Sequence, residues 1–190
     1  MSTGSNTGYG PHIASLRQDL REYRLRFPDE RSTVKRFEAL VAEGARAYER
    51  ARRIGHLTAS AWVLDEAHCR VLLVHHKKLD KWLQPGGHAD GETDLLAVAR
   101  KEVVEETAVS AEPLLGGDIL DIDIHPIPPH GSDPAHEHFD VRFALVARGS
   151  QAPEGNEENH DARWVGLDEL EELTTEASML RMRDKARKLL

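Results

Sequence analysis

The sequence predicts a mixed α/β fold, a β-sheet covered by helices, on three observations. Helical spacing of apolar residues dominates before about Gly55, short β-prone runs take over from Leu57, and one clear amphipathic helix at 94–107 interrupts those runs. A bundle would lack the strands and a sandwich would lack the central helix.

Each element has its own warrant. Ile13, Leu16 and Leu20 form one apolar stripe; Val34, Phe37, Leu40 and Val41 form a second, and Pro28 lies between them, so two amphipathic helices are predicted. Runs at 58–64 and 71–75, each bounded by charged or turn-forming residues, predict a hairpin of strands. A Gly-rich loop at 84–91 follows. In the helix at 94–107, Leu95, Leu96, Ala99 and Val103 build the apolar face. Strands are predicted at 118–125 and 138–147, separated by a loop with four prolines and a glycine. A strand at 162–165, a segment at 168–173 and a Lys/Arg-rich helix at 178–190 close the chain.

Composition narrows the classes. The 190 residues, 39% of them apolar, suffice for one sizeable core with a modest N-terminal appendage, and a single cysteine, Cys69, rules out a disulfide framework. A reducing cytoplasm is the compartment that fits. The opening MSTGSNTGYG has neither the basic start nor the apolar stretch of a secretion signal, and no apolar run is long enough to span a membrane. With 33 acidic against 25 basic residues the formal charge is −8, which argues against a stable nucleic-acid complex. The acidic excess reads either as solvated surface or as carboxylates gathered around a divalent cation.

The central helix favours the second reading. Glu102, Glu105 and Glu106 are three and four residues apart, so they share a face and repel one another by roughly 0.2–0.5 kcal/mol per exposed pair. A bound Mg²⁺ or Mn²⁺ reverses that sign, because hard cations take oxygen ligands. Alone, such a cluster reads as a solvated acidic face. What changes the balance is Pro85-Gly86-Gly87 just upstream, where glycine lets the backbone approach a ligand closely.

Read as one string, PGGHADGETDLLAVARKEVVEETAV (85–109) resembles the signature of the Nudix hydrolases. Gly87, Glu102, Glu105, Glu106, Val103 and Val109 fall at the family's spacing. GHLTASA (55–61), WLQPGGH (82–88), DIDIHPIP (121–128) and HEHFDVRF (136–143) extend the likeness to a branch of that family over about residues 55–175. The resemblance implies a Nudix-type mixed sheet sandwiched between helices at 55–190, with 1–54 as a helical extension. It also implies Mg²⁺- or Mn²⁺-dependent hydrolysis of a diphosphate linkage in a nucleoside triphosphate or nucleoside diphosphate derivative. The metal ligands would be Glu102, Glu105 and Glu106. Glu105 and Glu106 would be catalytic together with Glu158; Glu157 and Glu158 stand where relatives carry a loop glutamate that ligates metal or acts as base. Three positions depart from the pattern: Thr93 replaces its first glutamate, Lys101 its arginine and Ala108 its glycine. Glu92 or Asp90 could substitute for the missing carboxylate, or Thr93 could cap the helix. Lys101 keeps the charge but not the bidentate fork, and Ala108 costs on the order of 1 kcal/mol if the backbone there is left-handed.

The strand pattern suggests a pocket. In HEHFDVRF, Phe139, Val141, Phe143 and Leu145 alternate with His138, Asp140 and Arg142; in DIDIH, Ile122 and Ile124 alternate with Asp121, Asp123 and His125. Gly86, Gly87, His88, His138, Asp140 and Arg142 are therefore candidate substrate-binding residues, weighed against a plain solvent-facing strand side. The 11 histidines include no Cys-paired or HExxH arrangement, so each reads as a surface or hydrogen-bonding residue rather than a zinc ligand. Lys77, Lys78 and Lys81 read as solvated. Trp82 either stacks on a base or closes the core. The N-terminal helices either cover the pocket or form a homodimer interface. Two rivals remain: a noncatalytic Nudix domain that senses a nucleotide or binds a protein, and isopentenyl-diphosphate isomerase, which needs a cysteine near the GGH loop where this chain has none.

Overall fold

The structure, a computed structural model, describes residues 10–129, 131 and 134–189. Residues 130, 132 and 133 of the Pro-rich loop, residue 190 at the end of the last helix, and the side chain of Ile13 lie outside the description. In order, the elements are α1 (Gly10–Arg26), α2 (Arg31–Val41), β1 (Gly55–Leu64), β2 (Arg70–His76), β3 (Lys81–Leu83), β4 (Gly86–His88), α3 (Leu95–Thr107), β5 (Ala111–Pro113), β6 (Ile119–Ile127), β7 (His136–Ala147), β8 (Asn159–Gly166), α4 (Leu170–Leu173) and α5 (Ala177–Leu189).

The sheet is mixed. β1 and β7 run parallel from Gly55↔Glu137 to Leu64↔Val146, which explains why β1 is buried at every position. β6 pairs antiparallel with the outer edge of β7, and β4 pairs antiparallel with β1 through Thr58↔His88, Ala59↔Gly87 and Ser60↔Gly86. The predicted hairpin of the first two long strands is joined only at Leu64↔Val71; β2 then splays away and pairs along its length with β8. That splay leaves β4 its place beside β1. Gly86 is required there, because a Cβ would sit 2.3 Å from the Ser60 Cβ and 2.8 Å from the Ala59 carbonyl oxygen.

Helices cover both faces of the sheet. On one side Leu57, Ala59, Ala61, Ile122, Val141, Phe143 and Leu145 pack against Leu95, Val98, Ala99 and Val103 of α3, and the same buried cluster takes in Leu16, Leu20, Tyr23, Val34 and Phe37 of α1 and α2. Phe37 meets Phe139 edge-on, with ring centroids 5.3 Å apart. On the other side Trp62, Leu73, Leu120, Ala144 and Val165 pack against Met179, Met182 and Ala186 of α5. Among the described residues no helix is long and apolar enough to cross a membrane.

The N-terminal segment also braces the loop ahead of α3. The Gly91 amide donates to the Tyr48 carbonyl at 2.8 Å, and Arg50 donates to both oxygens of Asp90 at 2.5 and 2.9 Å.

Candidate active site

α3 begins on Asp94, whose carboxylate accepts from the Ala97 amide at 3.0 Å. Thr93, offered by its hydroxyl as the cap, is instead buried one residue earlier. The two carboxylates that could have replaced the missing glutamate are both engaged: Asp90 by Arg50, and Glu92 by the amides of Thr93 and Asp94 at 2.6 and 2.9 Å. The helix ends on Ala108 at φ 56°, so alanine occupies a left-handed position.

Beyond the helix, a loop folds back to satisfy its last carbonyls. The Glu154 amide donates to Thr107 O at 2.9 Å, and the Asn156 side-chain amide donates to Glu105 O at 3.1 Å. The Asn156 side-chain oxygen in turn accepts from the Glu158 amide at 2.8 Å, which ties Glu158 to the end of α3. Asn156 was not anticipated. A lone Asn in a loop carries no local signal of a tether to a helix fifty residues away.

The glutamates of α3 differ in setting. Glu106 is 5% exposed and lies near the Gly86 amide, and its Oε2 has no partner among the described residues. Burial first, then the negative charges of Glu102, Glu158 and Glu105, push it up to about 8. Glu102 is raised by burial and by Glu105 and Glu158, against the pull of Lys101. Its carboxyl carbon lies 2.6 Å from where a Gly87 Cβ would stand, so only glycine leaves room for the group in this position. Glu105 is exposed and drawn aside by Lys101 at 2.8 Å, while Lys101 stands 3.7 Å from Glu102. Lys101 thus occupies the arginine's position as a flexible point charge shared between two carboxylates.

These residues fit a hard divalent cation. A buried carboxylate oxygen without a donor, a second half-buried carboxylate beside it and a glycine that makes room supply oxygen ligands whose mutual repulsion a cation removes.

The other candidate residues separate from this centre. Gly87 faces Glu102, and alternation along β4 turns His88 to the opposite face, in register with Thr58. Asp140 and Arg142 are each 3% exposed and turned inward. Asp140 accepts from Thr58 at 3.0 Å and Ser60 at 2.8 Å, and Arg142 binds Asp140 at 2.8 Å, Asp121 at 3.1 Å and Asp123 at 3.3 Å. Arg181 and Lys185 of α5 complete the network, each reaching Asp121, at 2.8 and 2.6 Å. The face expected to line a pocket is therefore closed, at Asp140 and Arg142, by ion pairs beneath α5. Trp82 lies in the core with His75 stacked on its ring at 4.9 Å and Arg163 over it at 4.2 Å. Lys81 pairs with Glu176 at 2.5 Å, and Lys77 donates to the Glu157 carbonyl at 2.7 Å. Cys69 is exposed in the turn between β1 and β2, outside the GGH strand.

The histidines are not isolated. His56, His88, His125, His136 and His138 gather at one end of the β1–β7 pair, where His56↔His138 and His125↔His138 are cross-strand neighbours. Burial, followed by the neighbouring imidazoles, pushes His138 down to about 2; burial and Arg50 push His88 down to about 4.

A helix of glutamates packed on a mixed sheet, behind a Gly-Gly strand, is the arrangement the sequence resemblance implied. A family model, the NUDIX domain, matches residues 55–185, and the chain belongs to that family. No curated protein matches it in sequence. Solved structures share the fold at low identity. A MutT protein from Methanosarcina mazei Go1 aligns with TM-score 0.57 and 18% identity over 72% of this chain and 96% of its own. A C. elegans Ap4A hydrolase aligns with TM-score 0.56 and 15% identity over 70% and 95%. The E. coli dihydroneopterin triphosphate pyrophosphohydrolase aligns with TM-score 0.53 and 14% identity over 70% and 93%.

Proposed function

We propose that this chain hydrolyses the diphosphate linkage of a nucleoside triphosphate or nucleoside diphosphate derivative, using Mg²⁺ or Mn²⁺ held by Glu102, Glu105 and Glu106. The observation that carries this reading is the buried, unpartnered Oε2 of Glu106 beside the half-buried Glu102. Leaving a buried carboxylate oxygen without a donor costs about 1–3 kcal/mol or more, so its place in the fold asks for a cationic partner. The substrate class follows the family; Ap4A and dihydroneopterin triphosphate, named for two proteins of this fold, are both phosphate chains on a heterocycle-bearing group.

When bound, the cation neutralises charge on the phosphate oxygens and lowers the pKa of the attacking water. The chain does the rest. Gly87, which carries no Cβ on the face of Glu102, lets the phosphate chain approach the backbone beside the glutamates. Lys101 steers Glu105 from one turn upstream. Glu158, exposed on a loop that Asn156 fixes to the end of α3, accepts the proton of the attacking water. Of the candidate substrate contacts, Gly87 lies on the face of Glu102, whereas Gly86, His88, His138, Asp140 and Arg142 belong to the opposite face.

Turnover by the purified chain with Mg²⁺, against nucleoside triphosphates, dinucleotide polyphosphates and nucleotide sugars, tests the proposal. Metal-dependent cleavage between two phosphorus atoms is expected, with its loss in the Glu105→Gln/Glu106→Gln variant. Ligand-induced thermal stabilisation without turnover across the panel would instead identify a noncatalytic nucleotide sensor.

A further inference from the structure

We infer that His56, His136 and His138 form a second metal site, chemically distinct from the α3 carboxylates, that takes a borderline transition-metal cation such as Zn²⁺. The inference does not depend on the proposed hydrolysis.

Three strands bring the site together. Parallel pairing sets His56 of β1 beside His138 of β7, His136 lies two residues back on the same face, and β4 adds His88. His56, His136 and His138 each offer one ring nitrogen, and the three nitrogens lie within 4.8 Å of one another. His136 Nε2 stands 3.2 Å from His138 Nε2, and His88 Nε2 stands 3.1 Å from the same atom. A tetrahedral site with Zn–N bonds of about 2.0–2.1 Å has nitrogen–nitrogen edges of roughly 3.3–3.4 Å. The rings are thus already near ligand spacing.

Hydrogen bonding decides which nitrogens face inward with lone pairs. A carbonyl only accepts, so the ring nitrogen against it must carry the proton. His136 Nδ1 donates to the Pro134 carbonyl at 2.9 Å, and His56 Nδ1 to the Arg52 carbonyl at 3.4 Å. In the neutral rings both Nε2 atoms then carry lone pairs. Backbone carbonyls that fix the distal N–H of an imidazole in this way are the usual support of histidine ligands.

The cluster does not satisfy itself. His56 is 3% exposed, and its Nε2 has no partner among the described residues. The single Nε2 of His138 faces two other Nε2 atoms, yet it carries either one N–H or one lone pair, so it cannot form a full two-centre hydrogen bond to each. A cation shared by several lone pairs resolves this where protons do not. Imidazole donors suit Zn²⁺, Ni²⁺, Co²⁺ and Cu²⁺, whereas the oxygen donors of α3 suit Mg²⁺ and Mn²⁺. Glycine and histidine at adjacent positions of β4 thus point to different metals: Gly87 makes room for Glu102, and His88 reaches the imidazoles. Three protein ligands leave a fourth position for His88 or for an incoming ligand.

Co²⁺ as a spectroscopic probe tests the site on the full chain. The expected result is one tight Co²⁺ per chain with the visible ligand-field bands of a tetrahedral nitrogen site, displaced by Zn²⁺. The bands should persist in Glu105→Gln/Glu106→Gln. They should weaken at least about tenfold in apparent affinity in His136→Gln, a position at the strand edge where truncation leaves the buried core intact. Absence of tight Co²⁺ or Zn²⁺ binding to the wild-type chain would overturn the inference, whatever the variants do. So would a Co²⁺ site that survives His136→Gln unchanged or disappears with the glutamates.

Discussion

Glu106 of α3 and Asp121 beneath α5 are both buried acidic groups, and the protein treats them in opposite ways. Asp121 is 0% exposed; burial would raise its pKa, but Arg181, Arg142 and Lys185 outweigh burial and hold it below the usual carboxylate range. Asp123 is held down likewise, by His125, Arg142 and Arg181. Glu106 is nearly as enclosed, yet its neighbours Glu102, Glu105 and Glu158 share its sign, and it is pushed up to about 8. A buried charge with partners inside the fold is a brace. One surrounded by its own sign has no such brace, which is why the cation is proposed there.

Substitutions break this comparison from either side. Removing charge at α3 should strike activity and spare the fold: Glu105→Gln/Glu106→Gln is expected to lower turnover by roughly 10³-fold or more. Its urea midpoint should stay level or rise, because repulsion and desolvation of the carboxylates are relieved. Removing charge beneath α5 should do the reverse. Asp121→Ala leaves Arg142 and Lys185 buried without their shared acceptor and should cost about 3–5 kcal/mol in urea unfolding.

The same contrast predicts an acid limb. The folded-state pKa values of Asp121 and Asp123 lie below the unfolded value of about 3.9, so the unfolded chain takes up protons first. Their contribution is complete above that pH and is lost as pH falls further. Asp123→Asn should be less stable at pH 7 and lose stability less steeply in acid, as urea midpoints from pH 6 to 3 would show.

Smaller effects sharpen the picture. Gly87→Ala places a methyl 2.6 Å from the Glu102 carboxyl carbon, the far end of a flexible side chain that can swing away. Stability should change little, while Mn²⁺ affinity in a titration should fall about 10–100-fold, as when groups that orient a ligand are lost. Ala108→Gly should raise stability by about 1 kcal/mol by relieving the left-handed alanine, with turnover unchanged.

What the sequence showed of all this was local. The helix at 94–107, its apolar face and the shared side of its glutamates follow from spacing alone, and so does the split of β7 into Phe139, Val141 and Phe143 against His138, Asp140 and Arg142. Periodicity tells which residues share a face; it does not tell what covers that face. Asp140 and Arg142 therefore read as pocket lining, although α5, some forty residues later, brings Arg181 and Lys185 over them. β3, β4 and β5 are three residues each, too short for a pattern, and exist because longer strands offer them an edge. Capping falls to Asp94, one residue after Thr93, because it is the Asp94 carboxylate that reaches the Ala97 amide. The histidines looked isolated because β1, β4 and β7 unite them from positions 56, 88 and 136–138, and pairing between distant strands leaves no mark on local composition.

The most direct test of the central claim is a Mn²⁺ titration followed by electron paramagnetic resonance, on wild type and Glu106→Gln at matched thermal stability. Wild type should bind Mn²⁺, and Glu106→Gln should bind it at least about tenfold more weakly with an unchanged melting temperature. Equal Mn²⁺ affinity in the two proteins would contradict the assignment of the buried glutamate as a cation ligand, and with it the proposed chemistry.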